Sequence, residues 1–487
     1  MRAPRKKPRR KIAASAISAR LNPRVTLEAQ ADGTIAAGVD GYSEPLGKFS
    51  AAVTERARSL THGLPLASFA GRNAVDREIG LLVQRLAVRG LLEYRLASAQ
   101  DDADRIVIEP QVSAYWPAMP KLDNSATVAL SRFAYLRRRG NEMVLESPRA
   151  GALVRICDPK IAATIAALST PRKISWLRRQ EGFPGTELLA LLLGCELLFK
   201  VDAASDGLRA AEGDSNLVMW DFHDLLFHAR STEGRQSNPL GGLYPHAGVL
   251  TPLPAVRPPW RGEKIDLDAL SAAAAETNSP FAKLLHERHS TRDFDDAQPI
   301  TLAELSRFLD RTARVQTNWT SPPDFGDGPD IEYTTRLYPS GGSSYELELY
   351  LAVANCEGLA RGFYHYDAGA HALVPIDTGP HELDAMLAAA EFAMGASAEP
   401  QILLTIAARF GRISWKYASI AYSLILKDVG VLIQTLYLMA TDMGLGGCAI
   451  GTCNIDLFAK MTGIEFHVEG PVGQFALGRG KKLEGSD

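Results

Sequence analysis

The chain has 487 residues, enough for roughly two to four domains with buried cores. Its 53 Lys and Arg residues are balanced by 56 Asp and Glu residues, for a formal net charge of −3. This balance excludes the overall polycation that holds nucleic acid by neutralising phosphates, so no nucleic-acid partner is expected. With 46% hydrophobic and 22% charged residues, the composition also excludes a disordered or collagen-like chain.

The N-terminus carries a basic run from Arg2 to Lys11 that no apolar stretch follows, so the central region of a secretory signal is missing. We expect residues 1–20 to form a disordered basic tail. The five cysteines are an odd count without short paired spacing, which favours a reducing compartment over a disulfide framework. The sequence therefore predicts a cytoplasmic protein.

Two apolar windows have the composition of membrane segments, Leu188–Val201 and Tyr417–Ala440. The first contains Glu196 and is shorter than the ~20 residues that a spanning helix needs. The second holds Lys427 and Asp428 near its middle, which is costly in hydrocarbon. Both windows are predicted to be buried helices, and no membrane partner is expected.

A faint repeat in the first half places similar leucines about 106 residues apart, since Leu82, Leu86, Leu91 and Leu92 recur as Leu188, Leu192, Leu197 and Leu198. In both copies a helical apolar pattern runs through a glycine into a short strand-like run, 91–96 or 196–201. Helix, turn and strand in that order indicate a winged-helix module present twice. Chance similarity of leucine-rich helices is the alternative.

A proline-rich segment, with prolines at 252, 254, 258 and 259, predicts a linker before the second half. Beyond it, Thr301 and Glu304 form a capping box that begins a helix. Strands are predicted over 348–354 and 401–407, a hairpin over 362–366 and 371–376, and helices over 380–394 and 420–443. This mixture indicates an α+β domain around a mainly antiparallel sheet.

Three segments of the second half are suited to an anionic, flat ligand. In 288–292, the guanidinium groups of Arg288 and Arg292 flank Ser290, and all three can donate to phosphate oxygens. In 339–344, small residues after Pro339 let the backbone lie close against a ring system. A solvated basic loop and an ordinary turn are the respective alternatives.

The glycine-rich run 444–451 is superficially similar to a dinucleotide-binding fingerprint. Such a fingerprint follows a strand and opens a helix, whereas this run follows a long predicted helix. A Rossmann site is therefore not predicted.

Taken in order, these segments resemble the FMN-dependent nitroreductase-like superfamily, and within it the SagB-type dehydrogenases, which include the azoline oxidases of thiazole/oxazole-modified peptide biosynthesis. The resemblance begins at 220–231 and continues through 362–366 to 475–478, so it covers about residues 215–480. The N-terminal half is similar in layout to the cyanobactin-type oxidases. The implied organisation is a pair of winged-helix-like peptide-binding modules (21–115 and 116–215), a lead-in and linker (216–262) and a nitroreductase-like FMN domain (263–487).

The resemblance also implies an FMN site. It assigns the phosphate and ribityl chain to Arg288, Ser290 and Arg292, and the isoalloxazine ring to the loop of Pro339, Ser340, Gly341 and Gly342. The run containing Gly447, Ile450 and Gly451 would bring backbone amides to the reactive flavin nitrogen, where a donor stabilises the hydride-accepting state. Arg479 or Lys481 would supply a further cation for the phosphate.

Lys416 and Tyr417 resemble the catalytic pair of the azoline-oxidising members. Converting an azoline to an azole removes a proton from one ring carbon and a hydride from its neighbour, so a base is needed beside the flavin. A free Tyr, with a pKa of ~10, is a poor base until a close ammonium favours its phenolate. Adjacent helical positions face different ways, so both side chains can reach one site only from a loop or a helix start. A surface Lys beside a core aromatic is the alternative.

Other candidates carry less chemistry. His223 and His228 lie five residues apart without a carboxylate-cysteine cluster to complete a metal site, so capping or packing is expected and no metal is predicted. Cys448 and Cys453 lack the spacing of zinc or thioredoxin motifs and are expected to be packed thiols.

The leading hypothesis is an FMN-dependent azoline oxidase that acts on a precursor peptide, with a YcaO-type cyclodehydratase as partner and with a homodimer formed through the C-terminal half. A stand-alone NAD(P)H-dependent nitroreductase or flavin reductase is one alternative, but it needs neither Lys416 with Tyr417 nor a large N-terminal half. A non-catalytic peptide-recognition scaffold is the other, and retention of all three flavin segments argues against it.

Overall fold

A computed structural model of the chain describes residues 17–39, 41–69, 71, 73–98, 101–180, 183–201, 212–236, 241–259, 261–267, 279–323 and 328–481. Contacts divide the chain into two compact units, Met1–Ser237 and Asn238–Asp487. Residues 1–16 of the predicted basic tail lie outside the described residues, so their predicted disorder stays a prediction. The prediction is wrong for residues 17–20, because Ile17–Leu21 forms a strand.

Unit 1 is rich in short strands. It contains β1 (Ile17–Leu21), β2 (Val25–Ala29), β3 (Thr34–Val39), β4 (Tyr42–Lys48), α1 (Ala51–Ala57), β5 (Leu64–Pro65), α2 (Ala74–Val88), β6 (Leu92–Ala97), β7 (Asp104–Pro110), β8 (Thr127–Leu130), β9 (Tyr135–Arg139), β10 (Glu142–Glu146), β11 (Ala152–Ile156), α3 (Pro159–Ala167), β12 (Arg172–Lys173), α4 (Ile174–Leu177), α5 (Thr186–Gly194), β13 (Leu198–Lys200) and α6 (Phe222–Ser231).

The predicted repeat corresponds to a repeated strand order. The order β5-β1-β6 in the first copy matches β12-β8-β13 in the second, and in both copies a helix, α2 or α5, precedes the last strand. Three strands are inserted after the first strand of each copy, β2–β4 in one and β9–β11 in the other. The helix, turn and strand predicted from the leucine pattern therefore occur twice. The winged-helix assignment itself stays a prediction.

One sheet runs through both predicted modules. Its order is β5-β1-β6-β7-β11-β10-β9, and β7 pairs with β11 in the register Ile108↔Val154. Both of these side chains are buried. The sheet crosses the predicted boundary between residues 115 and 116 because an unpaired β7 would leave an apolar strand edge open. The two repeats thus share a sheet within a single unit.

Helix α6, predicted as a lead-in to the second half, belongs to unit 1. The Phe222 ring lies 5.7 Å from the Tyr135 ring, and Arg230 pairs with the Glu146 carboxylate at 3.2 Å. These contacts hold α6 to β9 and β10. The division between the units falls at 237/238, ahead of the proline-rich segment where the sequence placed it.

Unit 2 has the predicted α+β architecture. It contains α7 (Pro280–Glu287), α8 (Leu302–Asp310), β14 (Thr317–Ser321), β15 (Ile331–Thr335), β16 (Leu347–Val353), β17 (Gly362–Asp367), β18 (Ala372–Ile376), α9 (Pro380–Met394), β19 (Ile402–Arg409), α10 (Phe410–Ser414), α11 (Ala421–Asp442), β20 (Gly446–Ile450), α12 (Ile455–Thr462) and β21 (Glu469–Gly478). Its main sheet has the order β18-β17-β16-β19-β21-β20, and every neighbouring pair is antiparallel.

Local signals set the element ends in unit 2. The Thr301 hydroxyl accepts from the Glu304 amide while the Glu304 carboxylate accepts from Thr301, which confirms the predicted capping box at the start of α8.

On one side of the sheet, Phe363 and Leu387 share a buried cluster with Phe458, so α9 and α12 cover that face. The glycine-rich run forms β20 after α11, which agrees with the rejection of a dinucleotide fingerprint.

Among the described residues, α11 is the one helix that is long and apolar enough to cross a membrane by length and composition. It packs against β20 and β21. Ile425, Val429, Leu432 and Leu436 are buried along it. The helix therefore serves as a core element of unit 2, as predicted for this window.

Candidate functional site

A tight turn precedes β16 and holds the predicted ring-binding loop. Gly342 adopts a left-handed conformation with φ +59°, and Ser343 and Tyr345 also have positive φ values, 54° and 46°. Side chains other than glycine rarely adopt this conformation, and such strained residues cluster at functional sites when the surroundings hold them in place.

Two buried carboxyl groups hold this turn in place. Ser340 Oγ lies 2.9 Å from Asp428 Oδ2 and 3.3 Å from Glu346 Oε2, and the Gly341 amide donates to the same Asp428 oxygen at 2.8 Å. Glu346 has no exposed surface and Asp428 is 6% exposed. The turn is thereby fixed to the middle of α11, where Asp428 interrupts an otherwise apolar stretch.

The Glu346 carboxyl has a pKa close to neutral pH. Burial, together with the nearby Asp428 carboxyl, raises the pKa of Glu346 to about 7. Its Oε1 atom is buried and has no hydrogen-bond partner among the described residues. A proton on Glu346 relieves its repulsion with the Asp428 carboxyl, so the protonated form of Glu346 stabilises the turn.

Lys416 and Tyr417 both reach the turn. They lie in the loop between α10 and α11, where adjacent side chains are free of the helical spacing rule. Lys416 Nζ donates to the Gly342 carbonyl at 3.3 Å, and a Cβ placed on Gly342 would overlap the Tyr417 hydroxyl. The structure therefore brings the predicted catalytic pair to the predicted ring-binding loop.

An aromatic pair lies beside Lys416. Trp319 and Tyr333 are cross-strand partners in the β14–β15 hairpin, with ring centroids 5.5 Å apart and planes 19° from parallel. Lys416 Nζ lies 5.2 Å from the Tyr333 centroid and 5.8 Å from the Tyr417 centroid. The ammonium group is thus placed near two aromatic rings, which attract a cation through their quadrupoles.

The predicted phosphate-binding segment follows α7. Ser290 Oγ lies 2.9 Å from Tyr437 Oη, which accepts from the Ala449 amide at 2.8 Å. The Arg288 guanidinium lies over the Tyr437 ring, 5.2 Å from its centroid. Tyr437, which the sequence analysis did not single out, therefore links this segment to β20.

The segment 288–292 lies directly against the glycine-rich strand. The Thr291 amide donates to the Gly447 carbonyl at 2.8 Å. A Cβ at Gly446 would lie 2.6 Å from Thr291 Cγ2, and one at Gly447 would overlap the Phe475 ring. Both glycines are needed for this close approach. Ile450 is buried at the end of β20 and Gly451 follows it at the surface, with open space on its Cβ side.

Arg479, the further predicted phosphate ligand, forms an ion pair with a carboxylate. Its Nη2 lies 2.8 Å from both carboxylate oxygens of Glu304, the residue that caps α8. Although burial opposes the effect, this guanidinium lowers the pKa of Glu304. The Arg479 amide also donates to the Gln401 side chain at 2.9 Å. The ion pair ties the end of β21 to the start of α8, and the role of Arg479 at the phosphate stays a prediction.

The other predicted ligand residues could hold a flat ligand that carries a phosphate. Among the described residues no carboxylate pairs with Arg288 or Arg292, so both can meet a phosphate. Asp428 and Tyr437 are nine positions apart on α11, which separates the turn from the arginine segment by about 13 Å along the helix axis. A phosphate at one end and a flat ring at the other are the chemistry that these two groups of residues can accommodate.

The cysteines and histidines behave largely as predicted. All five cysteines lie among the described residues, no disulfide joins them, and Cys448 and Cys453 are buried. His228 is fully buried and stacks on Trp220 with centroids 6.0 Å apart. His223 differs from expectation, because Asp221 and Asp224 bring carboxylate atoms within 4.8 Å of its ring nitrogens. This small acidic group has the ligand types for a metal, but no further observation points to one.

Comparisons with known proteins match both units. Residues 128–237 match the family model described as cyanobactin oxidase ThcOx, and residues 285–479 match that of the nitroreductase family. A nitroreductase-type protein of Methanocaldococcus jannaschii is 31% identical over 168 residues, which cover 34% of this chain and 76% of that protein.

Solved structures match at lower identity. A nitroreductase-type structure from Ralstonia eutropha JMP134 is 22% identical with a TM-score of 0.31, over 43% of this chain and 88% of that one. The Escherichia coli microcin synthetase McbBCD complex with truncated pro-MccB17 bound contains a chain 20% identical with a TM-score of 0.38, over 55% of this chain and 97% of that one.

Proposed function

The chain belongs to the nitroreductase family, and we propose that it is an FMN-dependent oxidase converting thiazoline or oxazoline rings of a ribosomally made peptide to thiazoles or oxazoles. Family membership confirms the resemblance drawn from the sequence and makes the protein an oxidoreductase. The cyanobactin oxidase match over 128–237 supports a peptide substrate. The observation that carries the azoline chemistry is the convergence of Lys416 and Tyr417 on Gly342.

In this proposal Arg288, Ser290 and Arg292 hold the FMN phosphate and ribityl chain, as charge-assisted donors do for phosphates. The turn at Ser340–Gly342 and the amides after Ile450 lie along the ring. FMN, when bound, supplies the acceptor for the hydride that leaves the azoline.

The reaction also releases a proton, and the chain's own residues account for it. Tyr417, as phenolate, takes the proton from the ring carbon next to the one that loses the hydride. Lys416, held by the Gly342 carbonyl and near the Tyr417 ring, stabilises that phenolate. The azoline thereby loses two hydrogens and becomes aromatic, so no further co-reactant is needed at this step.

Unit 1 is the proposed peptide-binding region. It contains a cavity of about 750 Å³ lined by Leu66, Phe69, Leu81 and Trp116 among others, and Trp116 is 44% exposed. An apolar concave surface of this size suits side chains of an extended peptide. The azoline rings come from a cyclodehydration of Cys, Ser or Thr residues, so a YcaO-type cyclodehydratase is the proposed partner.

A homodimer through unit 2 is also proposed. Helices α7 and α11 are in contact, and they leave apolar side chains exposed, with Phe281 at 59%, Leu285 at 45% and Val431 at 37%. A two-fold interface over these helices would cover them. Light scattering of the flavin-loaded protein should give twice the chain mass, and an active monomer at dilute concentration would contradict the proposal.

The decisive experiment separates chemistry from cofactor loading. Lys416→Ala and Tyr417→Phe should each retain FMN and lose azoline oxidation by ~10²- to 10⁴-fold, as expected for a positioned acid or base. The assay follows the loss of two hydrogens per ring by mass spectrometry on a heterocyclised peptide. Lys427→Ala, an exposed lysine of α11, and Tyr364→Phe, whose hydroxyl donates to the Ala360 carbonyl, are matched controls. Wild-type rates in both test variants would refute the assignment.

The match to a nitroreductase-type protein favours one other function, stand-alone nitro reduction with NAD(P)H. That reaction needs no base beside the ring. Nitroarene reduction that is undiminished by Tyr417→Phe, together with no turnover of azoline peptides by the wild type, would favour it.

A further inference from the structure

The β14–β15 hairpin presents an aromatic surface that the proposed chemistry leaves unused. Trp319 is 43% exposed, although its indole stacks in near-parallel fashion on Tyr333, which is only 9% exposed. The strand that carries Trp319 is otherwise polar, with the sequence Thr-Asn-Trp-Thr-Ser. A large aromatic ring is thus partly exposed to solvent on a strand that has no apolar face of its own.

The hairpin is fixed to the proposed catalytic loop. The Arg412 side chain donates from Nε to the Ser344 carbonyl at 2.8 Å and from Nη2 to the Glu332 carbonyl. Ser344 belongs to the ring-binding turn, and Glu332 precedes Tyr333 on β15. Because Lys416 lies 5.2 Å from the Tyr333 ring, the aromatic pair, the turn and the ammonium group form one connected set.

We propose that Trp319 is the residue on which the heterocyclic ring of the substrate stacks, and that Tyr333 positions the Lys416 ammonium beside it. This inference rests on the proposed function and names its substrate-recognition surface. An azole ring is aromatic and flat, and an azoline ring is nearly planar around its C=N bond, so both can lie against an indole face. The distance of Lys416 from Tyr333 is within the range in which a ring attracts a cation.

Trp319 should therefore recognise the ring and not the rest of the peptide. In the flavin-loaded protein, Trp319→Ala should raise the KM for a thiazoline peptide about 3- to 10-fold, with kcat changed by less than about 2-fold. Titration calorimetry should show the same loss of affinity for the thiazole product peptide. It should show no loss for the same peptide with an open Cys. Trp319→Phe should restore most of the affinity.

A matched control is Phe392→Ala, which removes another exposed aromatic, 89% exposed on α9, and should change neither constant. Equal affinity of wild type and Trp319→Ala for the thiazole peptide would overturn the inference, and this binding test decides even if the wild type oxidises no azoline. Conversion of a dimer to a monomer by Trp319→Ala would also overturn it, because the indole would then belong to a subunit interface.

Tyr333 should act through Lys416. Tyr333→Phe keeps the ring and should keep kcat, whereas Tyr333→Leu should lower kcat about 10-fold at matched flavin occupancy and displace the pH profile of kcat. Because Tyr333 is buried, its variants are compared by thermal unfolding before kinetics. An unchanged pH profile in a folded Tyr333→Leu protein would refute the positioning role.

Discussion

Gly342→Ala is expected to disable the proposed catalytic pair, Lys416 and Tyr417, without replacing either residue. The substitution adds one methyl group, which would overlap the Tyr417 hydroxyl and lie 3.1 Å from Lys416 Nζ. The hydroxyl must retreat by roughly 1 Å or more before ordinary van der Waals contact is restored. A displacement of that size in a reacting group costs about 10²-fold in rate.

A second cost of this substitution is conformational. Gly342 has φ +59°, and a residue with a Cβ is disfavoured by roughly 1–2 kcal/mol in that region. Gly395 ends α9 with φ +62°, and the described residues leave open space where its Cβ would lie, so Gly395→Ala carries the same backbone cost without the overlap. Comparison of the two variants isolates the displacement of Tyr417.

The assay measures azoline oxidation per bound FMN, alongside urea unfolding of both variants. Both should lose a similar free energy of unfolding, and only Gly342→Ala should lose activity. Wild-type turnover by a folded, flavin-loaded Gly342→Ala protein would show that the position of the Tyr417 hydroxyl does not matter for the reaction.

Two further predictions concern the cofactor and pH. Replacing Arg288 and Arg292 together by Ala should weaken FMN binding by about 1.5–3 kcal/mol for each lost charged hydrogen bond, measured by flavin fluorescence. Arg479→Ala should lower stability because its ion pair with Glu304 is lost, and a loss of FMN in the same variant would place Arg479 at the phosphate. Glu346 has a folded pKa of about 7 against 4.5 for the free side chain, so its contribution is complete below about pH 4.5 and is lost as the pH rises through about 7. One pKa unit corresponds to about 1.36 kcal/mol, so by pH 8 the wild type should have lost ~3 kcal/mol of unfolding free energy relative to Glu346→Gln. Unfolding free energies of the two proteins in urea that stay parallel from pH 5 to 8 would contradict this prediction.

The Lys416–Tyr417 pair shows how far the sequence reaches. Adjacent positions share a site only outside a helix, and the sequence alone left that condition open. The end of α10 at Ser414 and the start of α11 at Ala421 satisfy it, because the pair falls in the intervening loop. The sequence could identify the two residues and the requirement that they lie outside a helix. Only the structure shows that the backbone at these residues meets this requirement.

The carboxyl pair that holds the turn could not be predicted as a pair. Glu346 and Asp428 are far apart in the chain, and no spacing rule connects them. Asp428 alone gave a signal, since a charged residue inside an apolar helix needs a polar partner. The ion pair of Arg479 could not be predicted for the same reason, because its partner Glu304 lies at the other end of the domain in sequence.

The repeat in unit 1 was detectable because its buried leucines recur at a constant offset. The shared sheet was not, because each copy carries three inserted strands whose pairing partners lie in the other copy or within the insertion. A packed helix gives a periodic spacing of apolar residues that can be read from the sequence. The pairing of distant strands gives no pattern that can be read from a single sequence.

The seven-stranded sheet of unit 1 ends in β5 on one side and β9 on the other, and each of these edge strands disfavours the addition of a further strand for a different reason. On one side β5 has only two residues, and the second is Pro65, which lacks the amide that an added strand would need. On the other side β9 carries three consecutive arginines. Arg137 and Arg139 pair with Glu146 and Glu109, so Arg138 provides most of the charge that would repel an identical strand. Edge-to-edge aggregation is thus disfavoured at β5 by the short strand and its proline, and at β9 by positive charge. Removing arginines from β9 is expected to make such aggregation easier.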